Sequence, residues 1–181
     1  MRGPFAVLGY GAPVTIHHTH PFAEPGRDSG RQLRGRLAAG VTLWAAHGSR
    51  RPAGLTVSSL LVANGEPPRV LALLDPLSEL LDALTETGVA AVSVLGGQHR
   101  RLAEVFGGTA PAPGGQFRAA EFAETEWGPV PADASVWAGV RLERTAETGW
   151  STLTTCVLEH LVVEGDGEPL VHYRGRYPRL G

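Results

Sequence analysis

The chain has 181 residues, 43% of them hydrophobic, and its 16 basic and 18 acidic side chains give a net charge of −2. That supports one substantial core and offers no basic surface for nucleic acid or an anionic membrane. No apolar run reaches the roughly 18 residues of a membrane span, and the first residues lack a signal-peptide core, so a cytoplasmic protein is expected.

All 16 basic residues are arginine, which excludes amine chemistry such as a Schiff base. The single cysteine, Cys156, excludes an internal disulfide and a cysteine-based zinc site, and its apolar strand-like surroundings predict an inert buried thiol. Residues 1–30 read as an N-terminal arm, with one short strand around Ala6–Leu8, ahead of a single domain over 31–181. His17, His18 and His20 lie in that arm, but no carboxylate or cysteine stands at ligand spacing, so no metal site is expected.

Asp28 or Ser29 caps a short helix through Leu37, with Leu33 and Leu37 on one face, and Gly40 ends it before a strand over Val41–Ala46. Further strands are predicted over Leu55–Val62 and Val70–Leu74. Asp75-Pro76 then opens a helix in which Leu77, Leu80, Leu81 and Leu84 recur at i, i+3, i+4 and i+7. A buried strand over Val89–Leu95 precedes a short helix carrying Leu102, Val105 and Phe106. The Pro/Gly-rich run from Gly107 to Gly115 reads as a mobile loop and a candidate lid. Alternation through Val136, Ala138, Val140 and Leu142, and a β-rich run over Thr152–Val163, make the C-terminal third strand country, closed by Leu170–Tyr173. Several strands with few helices predict a mainly β, mostly antiparallel barrel, and no G-x-G-x-x-G supports a Rossmann site.

Five segments then occur in order with consistent spacing: G-V-T-L-W-A-A (40–46), P-A-G-L-T-V-S-S (52–59), E-P-P-R-V-L-A-L-L-D (66–75), V-S-V-L-G-G-Q-H-R-R-L-A-E-V-F-G-G (92–108) and P-L-V-H-Y-R-G-R-Y (169–177). Together they resemble the flavin reductase family, FMN-binding split-barrel proteins that include the small reductase partners of two-component flavin monooxygenases. The resemblance implies a six-stranded split β-barrel, a homodimer with flavin near the subunit interface, and a possible flavin-dependent monooxygenase partner. It also implies NAD(P)H-dependent hydride transfer to FMN or FAD, with NADH or NADPH as reductant.

On this resemblance, Pro52, Ala53, Gly54, Leu55 and Thr56 lie against the isoalloxazine, and Ser58 and Ser59 bond the ribityl chain or phosphate. Leu74, Asp75 and Ser78 form a second flavin strip, Phe106 and Phe117 approach the ring, and His172, Tyr173, Arg174 and Gly175 touch the nicotinamide nucleotide. No side-chain acid or base is required, because the cofactors carry the chemistry and the protein stacks them. A helix start near Pro76 would also offer amides and a positive dipole end to a phosphate, although Asp75 as its cap competes for them.

Three positions depart from the family pattern. Gly149-Trp150-Ser151 stands where many members have Gly-Asp-His, so Ser151 replaces an imidazole near the nicotinamide. Thr109 follows Gly107-Gly108 where a lysine often occurs, and Leu60-Leu61-Val62-Ala63-Asn64 is greasier than the usual Thr/Ser-rich wall. These departures leave two alternatives open: a flavin-binding protein that is not a reductase, and a flavin-free binding module using the same cleft.

Overall fold

The computed structural model describes residues 29–165 and 167–180. The chain divides between Arg34 and Gly35 into two units. The described part of the first is a short helix, α1 (Ser29–Arg34). It stops three residues before the expected end, and Leu33 and Leu37 are both exposed. The strand expected at Ala6–Leu8 and the histidines at 17, 18 and 20 lie outside the described residues.

The second unit contains β1 (Ala39–Gly40), β2 (Thr42–Ala46), β3 (Ala53–Val57), β4 (Leu60–Ala63), β5 (Arg69–Leu74), α2 (Glu79–Thr87), β6 (Val89–Val94), α3 (Arg100–Phe106), β7 (Phe122–Ala123), β8 (Val130–Pro131), β9 (Val136–Thr148), β10 (Ser151–Val163) and β11 (Val171–His172). Seven of these strands form one antiparallel sheet in the order β3-β2-β6-β9-β10-β5-β4.

The single strand predicted over Leu55–Val62 is therefore two strands, broken at Ser58-Ser59, which raises the expected six strands to seven. The break forces the curl. β3 and β4 are consecutive in the chain yet lie at opposite ends of the sheet. A flat sheet would separate its ends by about 29 Å, whereas the two-residue link spans at most about 11 Å. The sheet must bend back on itself into a split barrel. The junction is pinned to β5 by Leu73 N–H donating to Ser59 O (3.2 Å) and by Ser59 Oγ donating to Leu73 O (2.8 Å).

Strand β2 is buried along its whole length because both faces are covered. Trp44 and Ala46 point into the barrel with Val57, Val70, Leu74, Val92, Val140 and Cys156, and the Leu80, Leu81 and Leu84 stripe of α2 packs there. Val41 and Leu43 belong to a second cluster with Leu95, Leu102, Val105, Phe106 and Leu170, built around α3. A strand buried on both faces reads as a continuous apolar run, as V-T-L-W-A-A does.

Helix α2 starts later than the sequence suggests. Ser78 is its N-cap: its backbone is extended and its Oγ accepts from Leu81 N–H at 3.3 Å. Asp75 instead closes a turn, with Oδ1 accepting from Leu77 N–H at 2.9 Å and the main-chain oxygen accepting from Ser78 Oγ at 2.7 Å. Leu77 consequently stays outside the buried stripe, 89% exposed. Gly88, at φ 75°, closes the helix by donating to Leu84 O.

Two latches position the outer elements. His99 Nδ1 accepts from Gly96 N–H (3.0 Å), so Nε2 carries the ring proton and donates to Asp133 Oδ1 (2.9 Å). This fixes the turn that leads into α3. The Trp127 ring lies over Gly139 of β9, where a Cβ would approach within 2.2 Å, and stacks on His160 at 4.8 Å.

Candidate functional site

A cavity of about 770 Å³ opens between the start of β3, the β5–α2 turn, the end of α3 and the loop that follows it. β3 contributes Pro52, Gly54 and Leu55, with Arg51 just before it. The β5–α2 turn adds Asp75, Ser78 and Glu79, while Phe106, Phe117 and the glycine-rich loop close the remaining side.

Aromatic packing builds the apolar wall. Phe106, Phe117 and Phe122 meet edge to face with centroids 5.0, 6.0 and 5.1 Å apart. Phe106 can lie against β3 only because residue 54 is glycine, since a Cβ there would stand 2.6 Å from Phe106 Cε1. Thr56 Oγ1 donates to Ala103 O (2.9 Å) and ties the same strand to α3.

The loop from Gly107 to Gly115 is more than the loose lid its composition predicts. Thr109 and Ala110 N–H groups both donate to Glu104 O (2.9 and 3.1 Å), and Gln116 Nε2 donates to Val105 O (3.2 Å). Ala110 and Ala112 pack against the α3 cluster. The loop is a built wall of the cavity.

Of the expected flavin-contacting residues, Pro52, Gly54, Leu55, Asp75, Ser78, Phe106 and Phe117 converge on this cavity. Ala53 and Leu74 belong to the barrel core, the latter fully buried. Thr56 is bonded to α3, and Ser58 and Ser59 sit at the β3–β4 break, outside the lining. Sequence reasoning missed Arg51, Glu79, Gln116 and Arg118. Their signal was adjacency: Arg51 precedes Pro52, and Gln116 and Arg118 flank Phe117.

Ser151 begins β10 at the tip of the long β9–β10 hairpin, paired with Thr148 across Gly149 (φ 60°). Thr152 pairs with Leu74, so the Gly149–Ser151 turn stands just beyond the end of β5, on the Asp75 side. His172 pairs with Ala39, and Tyr173–Arg176 form a tight turn with Arg174 at φ 51° and Gly175 at φ 73°. These residues are not in the cavity lining. His172 meets Tyr177 edge to face (5.6 Å), and Tyr177 packs against the α3 cluster that holds Phe106 and lies under the Arg100 guanidinium (5.8 Å). Burial pushes the Tyr177 hydroxyl pKa up, with Glu104 adding to the effect.

The electrostatics describe a binding site. Arg51 Nη2 pairs with Glu79 Oε1 at 2.6 Å across the rim. Among the described residues no group of three His, Cys, Asp or Glu side chains could hold a metal. Burial pushes the Cys156 thiol up to about 12, which makes it the inert thiol the sequence predicts. Apolar flat walls, a polar rim and a volume within the roughly 300–1,000 Å³ of small-molecule sites fit a planar heteroaromatic ring with a polar tail, as a flavin is. Bare glycine backbone at 108 and 115, where a Cβ would meet nothing within 4 Å, permits close approach of such a ring.

Comparison with known proteins agrees with this geometry. The family model described as flavin reductase like domain matches residues 34–181. An FMN reductase (NADH) RutF from Ancylobacter novellus is 30% identical over 152 residues, covering 83% of each chain. The FMN reductase (NADH) RutF of Bradyrhizobium diazoefficiens is 30% identical over 146 residues, covering 80% of this chain and 81% of the relative. Among solved structures, the NADH:FAD oxidoreductase SgcE6 of Streptomyces globisporus C-1027 superposes with a TM-score of 0.75 at 25% identity, covering 83% of this chain and 91% of that one. The flavin reductase PheA2 shares the fold with the same TM-score at 22% identity, covering 83% and 95%. Split-barrel topology, the cavity at the ordered motifs and these matches carry one conclusion: the chain belongs to the flavin reductase-like family.

Proposed function

We propose that this protein is an NADH-dependent flavin reductase acting on FMN. The observation that carries the reading is the cavity itself: Pro52, Gly54, Leu55, Asp75, Ser78, Phe106 and Phe117, drawn from four separate segments, line one cleft of suitable size. Relatives at 30% identity that cover most of the chain bear the name FMN reductase (NADH), which supports the choice of both cofactors.

The chemistry supplied by the bound cofactors is hydride transfer from the nicotinamide to the flavin, which needs no protein acid or base. The chain's task is placement. Phe106 and Phe117 give an apolar wall that excludes water from one side, and the Pro52–Leu55 segment supplies the strand edge against which a ring lies. Ser151 at the hairpin tip and the His172–Gly175 turn are assigned to the nicotinamide nucleotide. Support for that assignment is the concentration of guanidinium and aromatic groups in the turn, including Arg174 held 5.7 Å from the Tyr173 ring.

The protein acts as a homodimer in this reading. Val70, Ala72 and Leu74 face the barrel interior, so Leu71 and Leu73 of the same strand face outward. They pair with Leu61 of β4 and Leu153 of β10. Leu61 and Leu73 remain 71% and 40% exposed, an apolar strip of the kind that subunit contacts cover. A flavin-dependent monooxygenase fits as the acceptor of reduced flavin, because the small reductases of two-component systems that this family includes serve that role.

NADH oxidation by the purified protein, followed with FMN titrated in, tests the function. Turnover that saturates in FMN is expected.

A further inference from the structure

Four charged side chains line the cavity, and three of them are already engaged. Arg51 and Glu79 pair with each other at 2.6 Å, and the Asp75 carboxylate accepts from Leu77 N–H. Arg118 is different, since among the described residues it pairs with no carboxylate. Its position is built into the loop: a Cβ on Gly114 would come within 3.1 Å of Arg118 Cδ, so the bare backbone of Gly114, at φ 79°, leaves room for the arginine stem.

On the α2 side the lining is net negative, with Asp75 and Glu79 against Arg51. The first turn of α2 carries Glu79 and Asp82, Asp75 lies just before it, and Ser78 Oγ already caps Leu81 N–H. These carboxylates oppose the dipole that would otherwise attract a phosphate. Ser59 Oγ donates to Leu73 O, and neither Ser58 nor Ser59 lines the cavity. Among the described residues that line this cleft, a dianionic phosphate therefore has Arg118 as the cation without a carboxylate partner.

We propose that Arg118 anchors the phosphate monoester of the flavin mononucleotide, and that this contact sets the preference for FMN over riboflavin. The proposal rests on the reductase reading of the cavity and assigns it a residue that determines specificity. The guanidinium offers forked donors to phosphate oxygens, and such charge-assisted bonds are about twice as strong as neutral ones.

The test is equilibrium titration of the whole protein with FMN and with riboflavin, read by flavin fluorescence. Wild type should bind FMN more tightly than riboflavin. Arg118→Gln should weaken FMN by roughly 5- to 20-fold, leave riboflavin unchanged, and remove most of the salt dependence of FMN binding. Arg118→Lys should restore part of the preference, and a Ser58→Ala, Ser59→Ala variant should keep the wild-type ratio. An unchanged FMN-to-riboflavin ratio in Arg118→Gln, or an equal loss for both flavins, overturns the assignment while leaving the cavity a flavin site. A rise in KM for NADH with the flavin ratio intact also overturns it, placing the guanidinium at the reductant. Wild-type protein that binds neither flavin overturns the flavin reading of the cavity, and this proposal with it.

Discussion

A Cβ on Gly54 would collide with Phe106 at 2.6 Å, so one missing side chain fixes both the strand and the aromatic wall of the cavity. This residue was legible in the sequence because it sits inside an ordered motif, as do Pro52, Leu55 and Phe106. Gln116 and Arg118 were not. They enter the cavity because Thr109, Ala110 and Gln116 tie the loop to carbonyls of α3, and a Pro/Gly-rich run gives no period from which such closures could be read.

Cys156 illustrates the opposite case, since its apolar neighbours announce its burial. Desolvation raises its thiol pKa from 9.0 to about 12, with a weaker opposing effect from Thr154. The folded state thus keeps a proton that the unfolded state releases first. Stability from this group is complete below about pH 9 and declines as pH rises toward about 12. Over that window each unit costs up to about 1.4 kcal/mol. Denaturant unfolding at several alkaline pH values should show a steeper decline for wild type than for Cys156→Ala. Parallel declines would contradict the buried-thiol account.

At the scale of elements, the helices follow their apolar periodicity but their ends follow local hydrogen bonding. The leucine stripe placed α2 in the core, yet Asp75-Pro76 read as its start with Asp75 as the cap. The structure corrects this: Ser78 caps the helix and Asp75 holds the preceding turn. Ser78→Ala should accordingly lower stability by about 1 kcal/mol. Asp75→Ala should cost less, because it removes one bond in an exposed turn. Urea midpoints of the two variants provide the check, and a larger loss from Asp75→Ala would reverse the assignment. The Leu55–Val62 run shows a different limit. Its β-branched and aliphatic residues read as one strand, and only the need to join opposite ends of a curled sheet explains the break at Ser58-Ser59.

For the molecule as a whole, the barrel and its cavity were legible because five motifs arrive in fixed order. The seventh strand and the lining residues Arg51, Glu79 and Arg118 depend on contacts distant in sequence. The outward strip of Leu61 and Leu73 belongs to this scale too. In the homodimer account, Leu61→Glu with Leu73→Glu shifts the protein to monomer in sedimentation velocity while its circular dichroism remains that of a folded barrel. A variant that keeps the wild-type sedimentation coefficient would place the subunit contact elsewhere or remove it. No helix among the described residues is long and apolar enough to cross a membrane.

The central claim is that the cavity between β3, α2 and α3 presents FMN to NADH for reduction. Its most direct test is the initial rate of NADH oxidation by the purified protein as FMN is titrated. The account predicts a rate that saturates in both FMN and NADH and scales with protein concentration. NADH left unoxidised at every FMN concentration, by protein that unfolds cooperatively and binds FMN, would contradict it and leave a flavin-binding barrel that is not a reductase.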